Sequence, residues 1–287
     1  MNTPSAKIRA RIGMVNFINT APLYSVWIQT VNRPEWKVTE APPTQLNRML
    51  FEDELDLGFV SSHEYAIHPD QYKILSDLSI SATGSVGSVF LFSKENPEKL
   101  TGKIVQLSAQ SQTSVGLVKI ILEEFYGQQP IYVMPSEATK NQISAAAGAF
   151  SPTAVLAIGD QALRMKQADE YPVQLDLGEI WKKHTGLPFV FAVWAVRRDF
   201  CRKDPDCVLE IHQELLRCVR EGQQDIERIS REAAPKIPMS ASACLEYLKG
   251  LEYDLGPEKR RALELFFDYL IKRGEAQTHC LPITICG

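Results

Sequence analysis

Five short segments place hydroxyl, amide or carboxylate side chains just beyond an apolar run: Asn19-Thr20, Ser61-Ser62 with His63-Glu64, the stretch 83–88, Ser111-Gln112-Thr113-Ser114, and Gly159-Asp160. Small polar side chains at a helix start cap its free N–H groups, and each segment taken alone reads first as a cap. Together they imply more. Open α/β sheets take ligands at the carboxyl ends of their strands, where hydroxyls, amides and backbone N–H groups suit an anionic small molecule. Ser111, Thr113 and Ser114 form the best anion cradle after the Asn19 turn, because small residues let backbone N–H groups approach a carboxylate. Asp160, after an apolar strand and a glycine, caps a helix or holds a ligand hydroxyl or a proton. His63-Glu64 invites general acid–base chemistry. Adjacent residues on a helix start point apart, however, and a solvated histidine with a first-turn acid accounts for the pair. The chain has no defensible Ser-His-Asp spacing, GxGxxG, Walker or HExxH motif.

The elements that must position these turns follow from patterning. Gly13 to Tyr24 (GMVNFINTAPLY) reads as a buried strand, a polar turn and a helix with Pro22 in its first turn, so that Asn19 or Thr20 is the N-cap. Strands at Trp36–Glu40 and Leu55–Val60 flank a helix at Thr44–Phe51, and an apolar strand follows at Ser88–Ser93. A second set runs through a strand at Lys103–Leu107, an amphipathic helix with Val118, Ile121, Leu122 and Phe125 on one face, a strand at Ile131–Met134, an Ala-rich helix near 140–147, and a strand at Ala154–Ile158. After the apolar run Phe189–Val196 the chain turns helical, and Leu263, Phe266, Phe267 and Leu270 repeat the i, i+3, i+4, i+7 spacing of a packed face. Turn signals at Lys94–Pro97 and Arg197–Asp199 mark two chain crossings. The expected architecture is α/β and two-lobed. Residues 1–93 with 197–287 form the first lobe, 94–196 form an inserted second lobe, a cleft lies between them, and the helical C-terminal part packs back on the first.

With 31 Lys and Arg against 35 Asp and Glu, interspersed, the net charge of −4 gives neither the basic face of a nucleic-acid binder nor a polybasic membrane patch. No run approaches a membrane span or a secretory signal, and the expected location is cytoplasmic. All six cysteines lie between Cys201 and Cys286 with no CxxC pair, which fits buried reduced thiols better than a zinc ribbon. His279-Cys280 with Cys286, or Cys201 with Cys207 and His212, can be drawn as metal sets, but no metal is expected.

Six segments together resemble one family: GMVNFINTAPL at 13–23, DLGFVSSHEYA at 56–66, GSVFLFS at 87–93, SQTSV at 111–115, AIGDQAL at 157–163 and LGEIWKKHTGLPFVFAVW at 177–194. They are similar to the chorismate dehydratases of the futalosine route to menaquinone, over nearly the whole chain. The resemblance implies a type II periplasmic-binding-protein-like fold with two crossovers. It also implies cofactor-free conversion of chorismate to 3-[(1-carboxyvinyl)oxy]benzoate plus water. The family's first-turn asparagine maps onto Asn19 and its V-x-S-V serine onto Ser88, implying catalytic roles for both. Thr20, Ser61, Ser111, Thr113, Ser114 and Asp160 are then expected around the substrate, with the substrate's own carboxylate available as the proton acceptor. One departure stands out: relatives carry arginine where this chain has Gln112, leaving a basic clamp to Arg48, Lys140 or another residue. The chain is expected to act on chorismate as a monomer or homodimer; the competing expectations are a carboxylate-binding or sensor protein of the same fold, or the related dihydroxynaphthoate synthase.

Overall fold

The computed structural model describes residues 7–135, 151–237 and 239–286, so the Ala-rich helix expected near 140–147 and the basic residue at 140 lie outside the described residues. The chain divides into two compact units, Met1–Ser81 with Val190–Gly287, and Ala82–Phe189.

The first unit begins with strand β1 (Ala10–Met14), which enters helix α1 (Ala21–Thr30) through a turn and leads to β2 (Trp36–Glu40), α2 (Pro43–Phe51) and β3 (Leu57–Ser61). β1 pairs in parallel with β2, from Ala10↔Trp36 to Met14↔Glu40, and with β3 at Ile12↔Leu57 and Gly13↔Gly58. At Gly13 the sheet is tightly packed, since a Cβ there would lie 2.7 Å from Leu55 Cδ1 and that side chain would have to shift. All five residues of β3 are buried, as a central strand covered on both faces requires. Helix α3 (Ser62–Ile67) and the long strand β4 (Tyr72–Ala82) close this stretch.

The second unit holds β5 (Val89–Ser93), β6 (Ile104–Gln106), α4 (Gln112–Ile120, continued by a wider π turn at Ile121–Phe125), β7 (Ile131–Val133), β8 (Ala154–Ile158), α5 (Gly159–Ala168), β9 (Val173–Asp176) and α6 (Leu177–Thr185). Its sheet order is β7-β6-β8-β5-β9. β5 is antiparallel to both β8 and β9, while β6 is parallel to β7 and β8. The crossings therefore fall earlier than the turn signals at 94–97 and 197–199. β5, with all five residues buried, takes two neighbours in the second sheet, and Asn96-Pro97 opens only a short 3-10 turn within that unit.

The chain re-enters the first unit on β10 (Phe189–Arg197), antiparallel to β3. It continues through α7 (Arg198–Lys203), α8 (Pro205–Gln224), α9 (Ile226–Ala233), α10 (Ala241–Lys249) and α11 (Pro257–Lys272) to a short edge strand, β11 (Ile285–Cys286). The six-stranded order is β11-β4-β10-β3-β1-β2. The helical C-terminal part does pack on the first unit, with α8 lying along α1. At their closest approach a Cβ on Gly222 would fall 1.9 Å from the Pro22 carbonyl oxygen, so only glycine admits this crossing. Leu263, Phe266, Phe267 and Leu270 are the buried face of α11. No described helix is long and apolar enough to cross a membrane.

Gly222→Ala is expected to lose about 1–3 kcal/mol of unfolding free energy in urea titration, because the backbone of α1 must move to admit the methyl group. A second expectation concerns Glu64, a buried carboxyl in α3 that accepts a long hydrogen bond from Tyr72 Oη at 3.4 Å. Burial pushes it up from 4.5 to about 7, only partly offset by Tyr72. The folded state then holds a proton that the unfolded state releases, so stability falls as pH rises from about 4.5 to about 7, by up to about 3 kcal/mol. Nearby His68, held low by burial, acts in the opposite sense, so the difference between wild type and Glu64→Gln reports the carboxyl together with its 3.7 Å contact to His68. The variant should lose the downward slope across that window.

Candidate functional site

Each unit gathers its polar turns at one edge of its own sheet. In the first, β1, β2 and β3 run parallel, so the turn after Met14, Glu40 and Ser61 share an edge. The β1–α1 turn winds into a 3-10 turn at Ile18–Thr20. Thr20 Oγ1 donates to Val15 O at 2.7 Å, has Phe17 O in reach at 2.8 Å, and accepts from Phe17 N at 3.2 Å. The threonine thus stabilises the turn with its own hydroxyl and is buried within it. Asn19 differs: its backbone carbonyl accepts from Tyr253 Oη at 3.0 Å, while its side-chain Oδ1 is buried with no hydrogen-bond partner among the described residues. Buried polar atoms are nearly always paired, and an unpaired acceptor forfeits about 1–3 kcal/mol.

Beside Thr20 lies a small, mostly apolar pocket, lined by Met14, Leu23, Phe59, Trp194 and Tyr253 among others. Glu40, at the end of β2, receives Asn16 Nδ2 at 3.1 Å and the Tyr24 hydroxyl. Burial and that carboxylate push the Tyr24 phenol up to about 12. Ser61 caps α3 by accepting from Glu64 N at 3.3 Å and also accepts from Asn47 Nδ2 at 3.0 Å. His63 Nε2 turns to Glu275 O at 2.9 Å while Glu64 faces Tyr72, so the two do point apart. Arg48 pairs with Glu52 at 2.7 Å on the surface of α2.

In the second unit the pairings carry four segments to one edge. β6, β8 and β9 all end there, and β5, running the other way, begins there. Ser88, just before β5, is buried, and its carbonyl accepts from Gly159 N at 2.8 Å, which sets it against the Gly159-Asp160 start of α5. Asp160 lies in the first turn of that helix. Ser111 is the N-cap of α4: its Oγ accepts from Ser114 N at 3.1 Å and donates to Ser114 Oγ at 3.1 Å. Thr113 and Ser114 are both buried in the first turn that follows.

The residue that organises this edge was missing from the sequence expectations. Asp176, the last residue of β9, is only 4% exposed. Its Oδ1 caps α6 by accepting from Gly178 N at 3.0 Å and Glu179 N at 3.2 Å, and also takes Val86 N at 3.1 Å. Its Oδ2 takes Ser85 Oγ and Gly87 N, both at 2.7 Å. Five donors thus converge on one buried carboxylate, three of them from the loop that delivers Ser88. Gly178 lets that loop approach, since a Cβ there would sit 2.5 Å from Gly84 O. The signal available in sequence was Asp176-Leu177-Gly178-Glu179, an N-cap with an acid three residues on.

No group of three or more His, Cys, Asp or Glu among the described residues could hold a metal ion. Of the metal sets drawn from sequence, Cys207 and His212 are buried, and His212 Nε2 bonds to Ser76 O at 2.8 Å.

Comparison with known proteins agrees with this architecture. A family model described as menaquinone biosynthesis matches residues 10–272. The chain is 32% identical over 274 residues to a chorismate dehydratase of Thermus thermophilus, covering 90% of this chain and 94% of that one. Among solved structures it is similar to a protein of Archaeoglobus fulgidus, with TM-score 0.69, 18% identity and 92% and 97% of the two chains covered. It is also similar to a Candida albicans protein described as having the generic periplasmic binding protein fold, with TM-score 0.64, 11% identity and 93% and 95% coverage. These likenesses establish a periplasmic-binding-protein-like fold.

Asp176→Asn replaces an acceptor oxygen with an amide that faces N–H donors. It is expected to cost about 2–4 kcal/mol in urea unfolding. Hydrogen exchange at the Val86 and Gly87 amides should rise more than exchange in β8, because their acceptor is lost.

Proposed function

Because the chain belongs to the menaquinone-biosynthesis family, we propose that it is a chorismate dehydratase, converting chorismate to 3-[(1-carboxyvinyl)oxy]benzoate with loss of water. The observation that carries the reading is the buried, unpartnered Oδ1 of Asn19 in the first turn. An orphaned acceptor calls for a ligand with a hydrogen-bond donor. Dianionic chorismate has one such donor, the ring hydroxyl that the reaction expels.

In this mechanism Asn19 Oδ1 accepts the hydrogen bond of that hydroxyl and fixes the orientation of its C–O bond. Ser88 and the first turn of α4 at Thr113 and Ser114 hold carboxylates, with Ser111 as the cap that shapes that turn. Asp160 orients a further polar group. A substrate carboxylate takes the proton from the ring carbon bearing the enolpyruvyl ether. The C–O bond on the neighbouring carbon then breaks, and the departing hydroxide leaves with that proton as water. The electron pair of the broken C–H bond completes the aromatic ring, whose stability drives the step. Dehydration is redox-neutral, so the scheme uses no redox cofactor. The enzyme's contribution is orientation and placed hydrogen bonds. Thr20 and Ser61 shape the turns in this scheme, since their hydroxyls are engaged with Val15, Phe17, Asn47 and Glu64. The proposed setting is cytoplasmic, as a monomer or homodimer, with the small-molecule substrate as the partner.

Incubation of the purified protein with chorismate should abolish the diene absorbance and give a product lighter by one water in mass spectrometry. Tight binding with unchanged chorismate would overturn the assignment in favour of a binding protein. Asn19→Ala and Ser88→Ala should each lower turnover at least about tenfold, the loss of one oriented hydrogen bond to a reacting or charged group.

A further inference from the structure

The six cysteines fall into two groups. Cys207, Cys218, Cys244 and Cys280 are fully buried, and burial pushes each thiol up. Cys201 and Cys286 are only partly buried, and their sulfurs lie 3.5 Å apart. They come from distant parts of the chain, Cys201 from α7 and Cys286 from β11. The register of β11 on β4 fixes Cys286 opposite Leu75 at the edge of the six-stranded sheet. The approach is braced by Arg198, which donates to Pro69 O and to Thr284 Oγ1 at 3.1 Å, and by Tyr65 Oη, which accepts from Thr284 N at 2.8 Å.

Two features of this geometry favour reaction. The thiol–thiol contact with Cys201, together with the field of Lys73, holds the Cys286 thiol below its usual range despite burial. Arg198 adds positive charge on the Cys201 side. A stabilised thiolate with access to solvent and a second thiol in contact is the arrangement of a nucleophilic and a resolving cysteine.

We propose that Cys201 and Cys286 form an oxidant-modifiable dithiol whose reactant is a small hydroperoxide. The Cys286 thiolate attacks the terminal peroxide oxygen, the O–O bond breaks, and the departing oxygen takes a proton, leaving a sulfenic acid. Cys201 sulfur then attacks Cys286 sulfur. The S–O bond breaks, water departs, and the S–S bond forms. Two thiols are oxidised and one peroxide is reduced, so no other reactant is needed. The product ties α7 to β11 beside β4 and β10, the two strands on which the chain passes between its units. It converts an edge strand held by two residues into a covalently anchored one.

The test treats the full-length reduced protein with dilute hydrogen peroxide. Expected are a mass loss of two hydrogens, a Cys201–Cys286 cross-linked peptide, reversal by dithiothreitol, and amide exchange in β11 slowed at least about tenfold. The four buried cysteines should alkylate only after unfolding. Cys201→Ser removes the resolving thiol, and Cys286 should then be trapped by dimedone as the sulfenic acid. Free Cys201 and Cys286 after peroxide treatment, or oxidation spread equally over all six cysteines, would overturn the proposal. So would a cross-linked product with unchanged exchange in β11.

Discussion

A single buried carboxylate holds the second unit's polar edge together. The loop from Thr83 to Ser88 has no ladder or helix of its own, and two of its residues, Gly84 and Gly87, adopt positive φ. Its backbone N–H groups need an acceptor, and Asp176 supplies one while also capping α6. Burying an isolated carboxylate is costly. Five donors offset that cost only if the loop and the helix start are both in place, so each element depends on the other through one residue. The position of Ser88 follows from this arrangement and from its carbonyl bond to Gly159.

The first unit reaches a comparable end by dividing the work between neighbours. Thr20 commits its hydroxyl to Val15 and Phe17, and Tyr253 pins the Asn19 carbonyl, so the turn holds its shape without the asparagine side chain. Helix α1, which the turn feeds, is locked in turn by the approach of Gly222 to Pro22. The Asn19 Oδ1 is thereby left without a partner in the fold. The distinction between Asn19 and Thr20, equal candidates by residue type, lies in where their polar atoms end.

How much of this was legible in sequence depended on the range of the interaction. The parallel βαβ start, the amphipathic helix α4 and the packed face of α11 are local periodicities, and they appear where the patterning placed them. The crossings did not. Asn96-Pro97 is a true turn signal, but whether β5 belongs to one sheet or the other is decided by its pairing with β8 and β9, strands 60 or more residues away. Asp176 looked like an ordinary N-cap in a D-L-G-E run, and its second set of partners is about 90 residues earlier in the chain. The strand β11, two residues long, has no periodicity to read. Ser61 and Ser111, chosen for their types, prove to be genuine caps, while Asn19 stands apart only once burial and hydrogen bonding are known.

The orphaned oxygen of Asn19 also narrows what the proposed chemistry must look like. A site built only to capture an anion needs donors, and backbone N–H groups or hydroxyls at helix starts provide them. A buried acceptor is the wrong group for that task, because a carboxylate brought against it would repel it. Leaving such an atom unpaired costs about 1–3 kcal/mol in the folded protein. That cost is recovered on binding only by a ligand that presents a donor as well as its charges. A hydroxylated dicarboxylate, the class of substrate proposed above, carries both kinds of group. If that hydroxyl is the leaving group, the bond that Asn19 forms lies on the reaction coordinate. Under the proposed reaction, orientation of the breaking C–O bond would come from that unpaired oxygen.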